Sequence, residues 1–262
     1  MIKIIGTGHV LQKSVNEVRK EISELKPNFV TVELDKKRYE ILKENNFDLN
    51  FEREHSLSSL FSNPSNILSY LLAEIQMELG KKFNVVPGAE MREAILCARE
   101  INAGVVLIDR DISITINRLL NLPLNEKIKM LTISPKMTKD INFGVGGIEG
   151  ILELKNLEKI TKMLKKFPKF YNGLIAERDI YMAMNLYLLQ SKFPYANIVA
   201  VVGAGHKEGI EKFLNKFEKE GIMDINVNGI KRIEKISLSS HITNVFFVFV
   251  LMFAFLVLKI SK

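Results

Sequence analysis

Two kinds of segment alternate along most of this chain. Short apolar runs at Ile2–Ile5, Phe29–Leu34, Gly104–Asp109 and Asn197–Val202 have the length and composition of strands. Between them lie amphipathic stretches with helical spacing, such as Val15, Val18, Ile22 and Leu25, which Pro27 ends. Ser14-Val15-Asn16-Glu17 reads as a capping box, and Asp35 and Asp111 read as N-caps of helices reaching about Asn45 and Leu120. A further helix is predicted over Ile67–Leu79 and a short strand at Asn84–Val86. A helix over Ala89–Ile101 follows, with Glu90 and Glu93 in its first turn, where carboxylates suit the helix dipole. Strand, helix and strand within about thirty residues predict a βαβ unit whose first two strands are parallel neighbours.

The middle of the chain changes character. Residues 121–195 carry little strand signal, with proline punctuation at Pro123 and Pro135 and a hinge at Gly144-Val145-Gly146-Gly147. Helices are predicted at about 148–166 and 172–190, and Ile225–Val227 is read as a last strand before an Asn228-Gly229 turn. The expected fold class is α/β: a mostly parallel central sheet with helices on both faces, a helical insertion and a C-terminal transmembrane helix. Residues 1–120 and 196–235 form the α/β part, residues 121–195 the insertion, acting as a lid or as the surface of a homodimer, and residues 242–260 the membrane segment.

That last segment is apolar from Val245 to Leu258. At ~1.5 Å per residue it makes roughly 21 Å of helix, and Ile242-Thr243-Asn244 bring it to the lower edge of a span. Lys231, Arg232 and Lys235 precede it, which favours a cell-membrane protein with a single C-terminal pass and a cytoplasmic domain. No signal peptide is expected ahead of the first strand. The net charge of +7 is spread as scattered lysines, not an arginine-rich arm, so no nucleic-acid partner is expected. The single cysteine, Cys97, excludes an internal disulfide framework and a cysteine-rich zinc site.

Candidate chemistry gathers at the carboxyl ends of the expected strands, where α/β sheets bind ligands. Gly6-Thr7-Gly8-His9 follows the first strand, and Gly203-Ala204-Gly205-His206 follows a later one. Repeated Gly-x-Gly-His after a strand suggests a shared rim. There Gly6, Gly8, Gly203 and Gly205 would let a ligand approach the backbone, and His9 and His206 would ligate a divalent metal such as Mn, Co or Zn. Glu33 is the natural third ligand, or else a general base. The same glycines could instead belong to a dinucleotide site with Glu33 on a ribose, but Leu11 stands at the third glycine position. Glu90 is either a site carboxylate or only a first-turn residue. His55 and His241 are expected to be bystanders.

These motifs, together with Val32-Glu33-Leu34-Asp35, Arg38-Tyr39, Gly88-Ala89-Glu90-Met91-Arg92, Leu107-Ile108-Asp109-Arg110-Asp111-Ile112 and Glu177-Arg178-Asp179, resemble the TraB family. That family includes bacterial pheromone-shutdown proteins and is similar to the TIKI metalloproteases. The resemblance covers roughly residues 1–215. It implies a metal-dependent hydrolase-like site acting on peptides, with His9 and His206 at the two Gly-x-x-His positions and Glu33 at the acidic one. Arg38, Arg110 and Arg178 are then candidates to hold a substrate carboxylate or an oxyanion. Glu177 and Arg178 have a plainer reading as ion pairs that tie the helical block to the sheet. The alternative class is a membrane protein that binds a peptide or modulates a partner without catalysis, because no His-Glu-x-x-His signature is present.

Overall fold

The computed structural model describes residues 1–8, 12–48, 88–131, 161–222 and 227–232. Strand β1 (Ile2–Thr7) leads to α1 (Gln12–Leu25), β2 (Phe29–Val32) and α2 (Lys36–Glu44). Helix α3 (Ala89–Glu100) then precedes β3 (Gly104–Leu107), α4 (Ile112–Leu120) and α5 (Leu124–Leu131). A short α6 (Pro168–Tyr171) passes through a π-helical turn (Asn172–Ala176) into α7 (Glu177–Lys192). Strand β4 (Ile198–Gly203), α8 (Ala204–Glu220) and α9 (Val227–Lys231) complete the described elements.

The four strands form one parallel sheet in the order β1-β4-β2-β3. The fold is α/β, with helices on both faces. Val199 and Val201 of β4 face α1 and α3, in a core with Val18, Ile22, Ala94 and Ile95. Ile198, Ala200 and Val202 face α7 and α8, packing with Met182, Leu186, Ile210 and Phe217. At roughly 25 cal/mol per Å² of apolar surface removed from water, these two layers supply the main drive to fold. Helix α7 comes from the block read as a helical insertion and here forms part of the second layer.

The first two strands are parallel but not neighbours. Strand β4 lies between them, pairing Thr7 with Gly203 on one side and Val32 with Val201 on the other. The reason lies in its residues. Ile198-Val199-Ala200-Val201-Val202 is apolar at every position and buried throughout, so it needs cover on both faces, as central parallel strands do. Strand β1 is only partly buried and takes the edge. The two glycine motifs therefore leave the sheet side by side, as expected, while Glu33 stands beside the second motif and not the first.

Two local readings also change. Ser14 lies inside α1, and its hydroxyl accepts the Gly8 N–H at 3.0 Å, tying the first glycine loop to the helix instead of capping it. Val227 starts a helical turn and not a strand. The caps behave as expected: Asp35 accepts from Arg38 N at 2.9 Å and Asp111 from Ser113 N at 2.7 Å. The expected strand at 84–86, the helices at 67–79 and 148–166 (the latter up to residue 160), the 144–147 hinge, His9, His55, His241 and the 242–260 segment lie outside the described residues. Among the described residues no helix is long and apolar enough to cross a membrane.

Asp111→Ala is expected to cost about 1 kcal/mol, the usual value of a lost N-cap, as read by urea denaturation, whereas Asp111→Asn should cost little. Hydrogen bonds from Ser113 hold the Asp111 carboxyl below its ordinary range, partly opposed by burial. Its contribution is thus complete above the ordinary aspartate value of about 3.9 and is lost as pH falls through the lowered one. Identical acid profiles for wild type and alanine variant would refute this.

Candidate functional site

The carboxyl ends of β2, β3 and β4 converge on one buried guanidinium. Arg178, in the first turn of α7, donates through Nε to Asp109 Oδ1 at 3.1 Å and through Nη2 to Asp109 Oδ2 at 2.8 Å. Nη2 also donates to Glu33 Oε1, and Nη1 lies 3.0 Å from His206 Nε2 and 3.4 Å from the Leu174 carbonyl oxygen. Burial alone would lower the pKa of Arg178, but the charges of Glu33 and Asp109 more than offset that and raise it. It is a permanent cation, so it only donates.

This decides the histidine. Because Arg178 donates to Nε2, that nitrogen accepts, and the ring proton sits on Nδ1, 2.6 Å from Asp179 Oδ1. Asp179 is buried, and burial raises its pKa, opposed by its hydrogen bond to His206. Its position depends on a glycine one turn along α8 from His206. A Cβ on Gly209 would stand 2.0 Å from Asp179 Oδ2. Glu33 is fixed from the other side, where Oε2 accepts the Gly203 N–H at 2.6 Å. His206 Nε2 and Glu33 Oε1 end 3.5 Å apart.

A second guanidinium stands at the edge. Arg38, 30 % exposed, bridges Asp35 Oδ2 and Asp109 Oδ2, both at 2.6 Å. Asp109 thus receives two arginines as well as the Arg110 N–H at 2.8 Å. Arg110, although adjacent in sequence, points elsewhere. Its fully buried side chain meets Glu177 at 2.5 Å and the carbonyls of Gly173 and Ile230, both at 2.8 Å. Arg118 joins Glu177 at 3.0 Å and the Gly229 carbonyl at 2.6 Å, so this set binds α4, the π turn and α9 together.

Of the residues expected at the site, Glu33, Arg38, Arg178 and His206 are brought together, with Gly203 donating to Glu33. Gly6 packs on α8, a Cβ there lying 3.2 Å from Ala204 Cα, and Gly8 is engaged with Ser14. Gly205 borders open space. Glu90 is buried in the first turn of α3, a helix on the sheet face opposite α7 and α8. The ion pairs read for Glu177 and Arg178 both form. The dinucleotide arrangement is not met, because β4 separates the first glycine loop from Glu33. Asp109 and Asp179 stand in the quoted motifs but were given no role at the site. The first was visible as a strand-end acid, and the second as the neighbour of Arg178.

Whether a divalent ion fits can be judged from the donors. Among the described residues no group of three His, Cys, Asp or Glu side chains is arranged to hold one. Two of the three expected donors are described, and His9 lies outside the described residues. Donors sharing a tetrahedral ion at about 2.0–2.2 Å stand roughly 3.3–3.6 Å apart, so the 3.5 Å between Nε2 and Oε1 suits that chemistry. The carboxylate on Nδ1 is the usual support of a ligating histidine. Among the described residues two donors face one position, and the cation they hold there is the Arg178 guanidinium.

A parallel α/β sheet with an arginine–carboxylate–histidine cluster at its carboxyl rim defines the class of this protein. The chain belongs to the TraB/PrgY/gumN family, whose pattern matches residues 2–223. It is similar to an uncharacterized protein of Methanocaldococcus jannaschii, 36% identical over 231 residues, covering 86% of this chain and 56% of the relative. It also resembles TraB domain-containing proteins of Bos taurus, 28% identical over 92% of this chain and 68% of that protein, and of Homo sapiens, 26% identical over 92% and 68%. The chain thus spans little more than half the length of the archaeal relative.

Proposed function

We propose that this protein is a TraB-family, metal-dependent hydrolase of peptides, attached to a membrane through residues 242–260. Glu33 and His206 would hold the ion, with His9 as third ligand. The observation that supports this best is the line Asp179–His206–Glu33, in which His206 Nε2, an acceptor toward Arg178, stands 3.5 Å from a carboxylate oxygen. When bound, a divalent ion supplies Lewis-acid polarisation for hydrolysis. The chain's own residues do the rest. Asp179 fixes the tautomer and direction of His206, the Gly203 N–H turns Glu33, and Arg38, 30 % exposed, would meet a substrate carboxylate or oxyanion.

The test is ion content of the full chain in detergent after dialysis against Mn, Co or Zn, together with cleavage of a peptide mixture. About one ion per chain is expected, lost in Glu33→Gln and His206→Ala, with cleavage abolished by chelator and restored by the ion. Ion-free protein that cleaves nothing under all three metals would overturn the reading. A second reading, peptide binding without cleavage, draws on the guanidinium already seated between His206 and Glu33, since Arg178 supplies positive charge there with no metal. It calls for peptide binding that chelator does not change.

A further inference from the structure

We infer that α9 is a latch on the site: its seating on Arg110 and Arg118 sets, through Glu177 and the π turn, the position from which Arg178 holds Glu33 and His206. This does not depend on whether the site takes a metal.

The coupling starts from two pairs of consecutive residues that meet crosswise. Asp109 and Arg110 follow β3, and Glu177 and Arg178 open α7. Asp109 accepts from Arg178 with both carboxylate oxygens, at 3.1 and 2.8 Å, and Glu177 accepts from Arg110 at 2.5 Å. Adjacent residues share a rigid peptide, so neither pair can shift alone. The π turn ties them a second time. Its Gly173 carbonyl accepts from Arg110 at 2.8 Å and its Leu174 carbonyl from Arg178 at 3.4 Å. Gly173 also packs directly on α4, where an added Cβ would stand 2.6 Å from Arg118 Cβ. Single π turns inside helices are frequent at functional sites, and this one sits between the two arginines.

Helix α9 closes the far side. Arg110 Nη1 donates to the Ile230 carbonyl at 2.8 Å and Arg118 Nη2 to the Gly229 carbonyl at 2.6 Å. Lys231 Nζ stands 5.3 Å from the centre of the Tyr181 ring on α7. Gly229 and Ile230 are half-buried and Lys231 is exposed, and among the described residues none of them joins a hydrophobic cluster. An element held by polar contacts with little apolar burial opens locally before the core does. When α9 lifts, water takes the place of its carbonyls on both arginines, so neither of those donors is stranded. The same water screens the Arg110–Glu177 pair, and Glu177 is joined to Arg178 by a peptide bond. In sequence, α9 leads directly into residues 232–262, so attachment of those residues acts on the latch first.

The experiment is native-state hydrogen exchange of the full chain in detergent, for wild type and Ile230→Pro, with the side-chain ¹⁵N resonances of Arg178 and His206 recorded alongside. Proline at this position breaks α9 by removing an N–H and crowding the preceding turn, and it alters no side chain of the cluster. In the wild type, the amides of Ile230 and Lys231 should exchange at least about tenfold faster than those of Val199, Ala200 and Val201 in β4. In the variant, the amides of residues 173–179 should exchange at least about tenfold faster than in the wild type, the effect of one lost hydrogen bond to a charged group. The Arg178 and His206 resonances should move with them. Lys231→Gly, which loosens α9 at its exposed end, supplies the same readouts if the proline variant does not fold. Wild-type α9 amides as slow as those of β4 overturn the latch. So does a folded variant in which α9 has lost protection while residues 173–179 and both sets of resonances are unchanged.

Discussion

Arg178→Met is expected to lower stability by about 3–5 kcal/mol, the range for breaking a buried pair by removing one partner. The methionine fills much of the space but leaves Glu33 facing His206 without its cation, and Asp109 with Arg38 alone. Glu33, with its side chain 5 % exposed, would lose its ion pair with Arg178, and Asp109, 1 % exposed, would keep one of its two. Urea denaturation of the two proteins measures the difference. Lys20→Ala, which removes a 3.9 Å pair with Glu24 between side chains 69 % and 60 % exposed, is the control and should change stability by less than about 1 kcal/mol. A loss below about 1 kcal/mol for Arg178→Met would show that the cluster relaxes and that the guanidinium is not its centre.

Gly209→Ala should be the other large effect, through geometry and not charge. The added methyl would lie 2.0 Å from Asp179 Oδ2, 2.6 Å from Cγ and 3.1 Å from Cβ. A short side chain rooted in α7 cannot swing clear of all three contacts, so either the carboxylate leaves His206 or α7 and α8 move apart. Overpacking of this kind costs about 1–3 kcal/mol. The more specific readout is the imidazole: ¹⁵N spectra should show the Nδ1 proton of His206 losing its acceptor. Gly205→Ala is the matched comparison, one turn earlier in the same helix, where an added Cβ meets nothing within 4 Å. There alanine removes a flexible residue from a helix and should stabilise by up to roughly 1 kcal/mol. Two alanine variants of opposite sign are expected, and equal effects would refute the packing argument.

Several features were readable before any coordinates because they depend on neighbours in the chain. Asp35 and Asp111 cap the helices that immediately follow them. The apolar run from Ile198 to Val202 announces a strand covered on both faces. The Gly-x-Gly motifs mark strand ends, and β1 and β4 do carry them to adjacent positions. The errors have a common source. Placing β1 beside β2 follows the rule that consecutive parallel strands adjoin, yet pairing is a competition over the whole chain, and the most apolar strand wins the centre. Ser14 was assigned to its own helix because a local pattern contains no information on a glycine loop folding back to it. Among three arginines offered for one role, nothing local separated Arg110 from Arg178, although one faces α9 and the other the cluster.

By itself, then, the order of residues determined the alternation of strands and helices, the parallel α/β class, the caps and the family. All of these follow from hydrogen bonds and periodicities spanning a few positions, or from motifs in a fixed order. Tertiary structure alone decided that Glu33 meets Gly203 across 170 residues and Arg178 across 145, that Asp179 lies on His206, and that Gly209 must be bare to allow it. Those contacts form only when separate helices and strands pack and share one desolvated space, where a charge must find its partner wherever in the chain that partner resides.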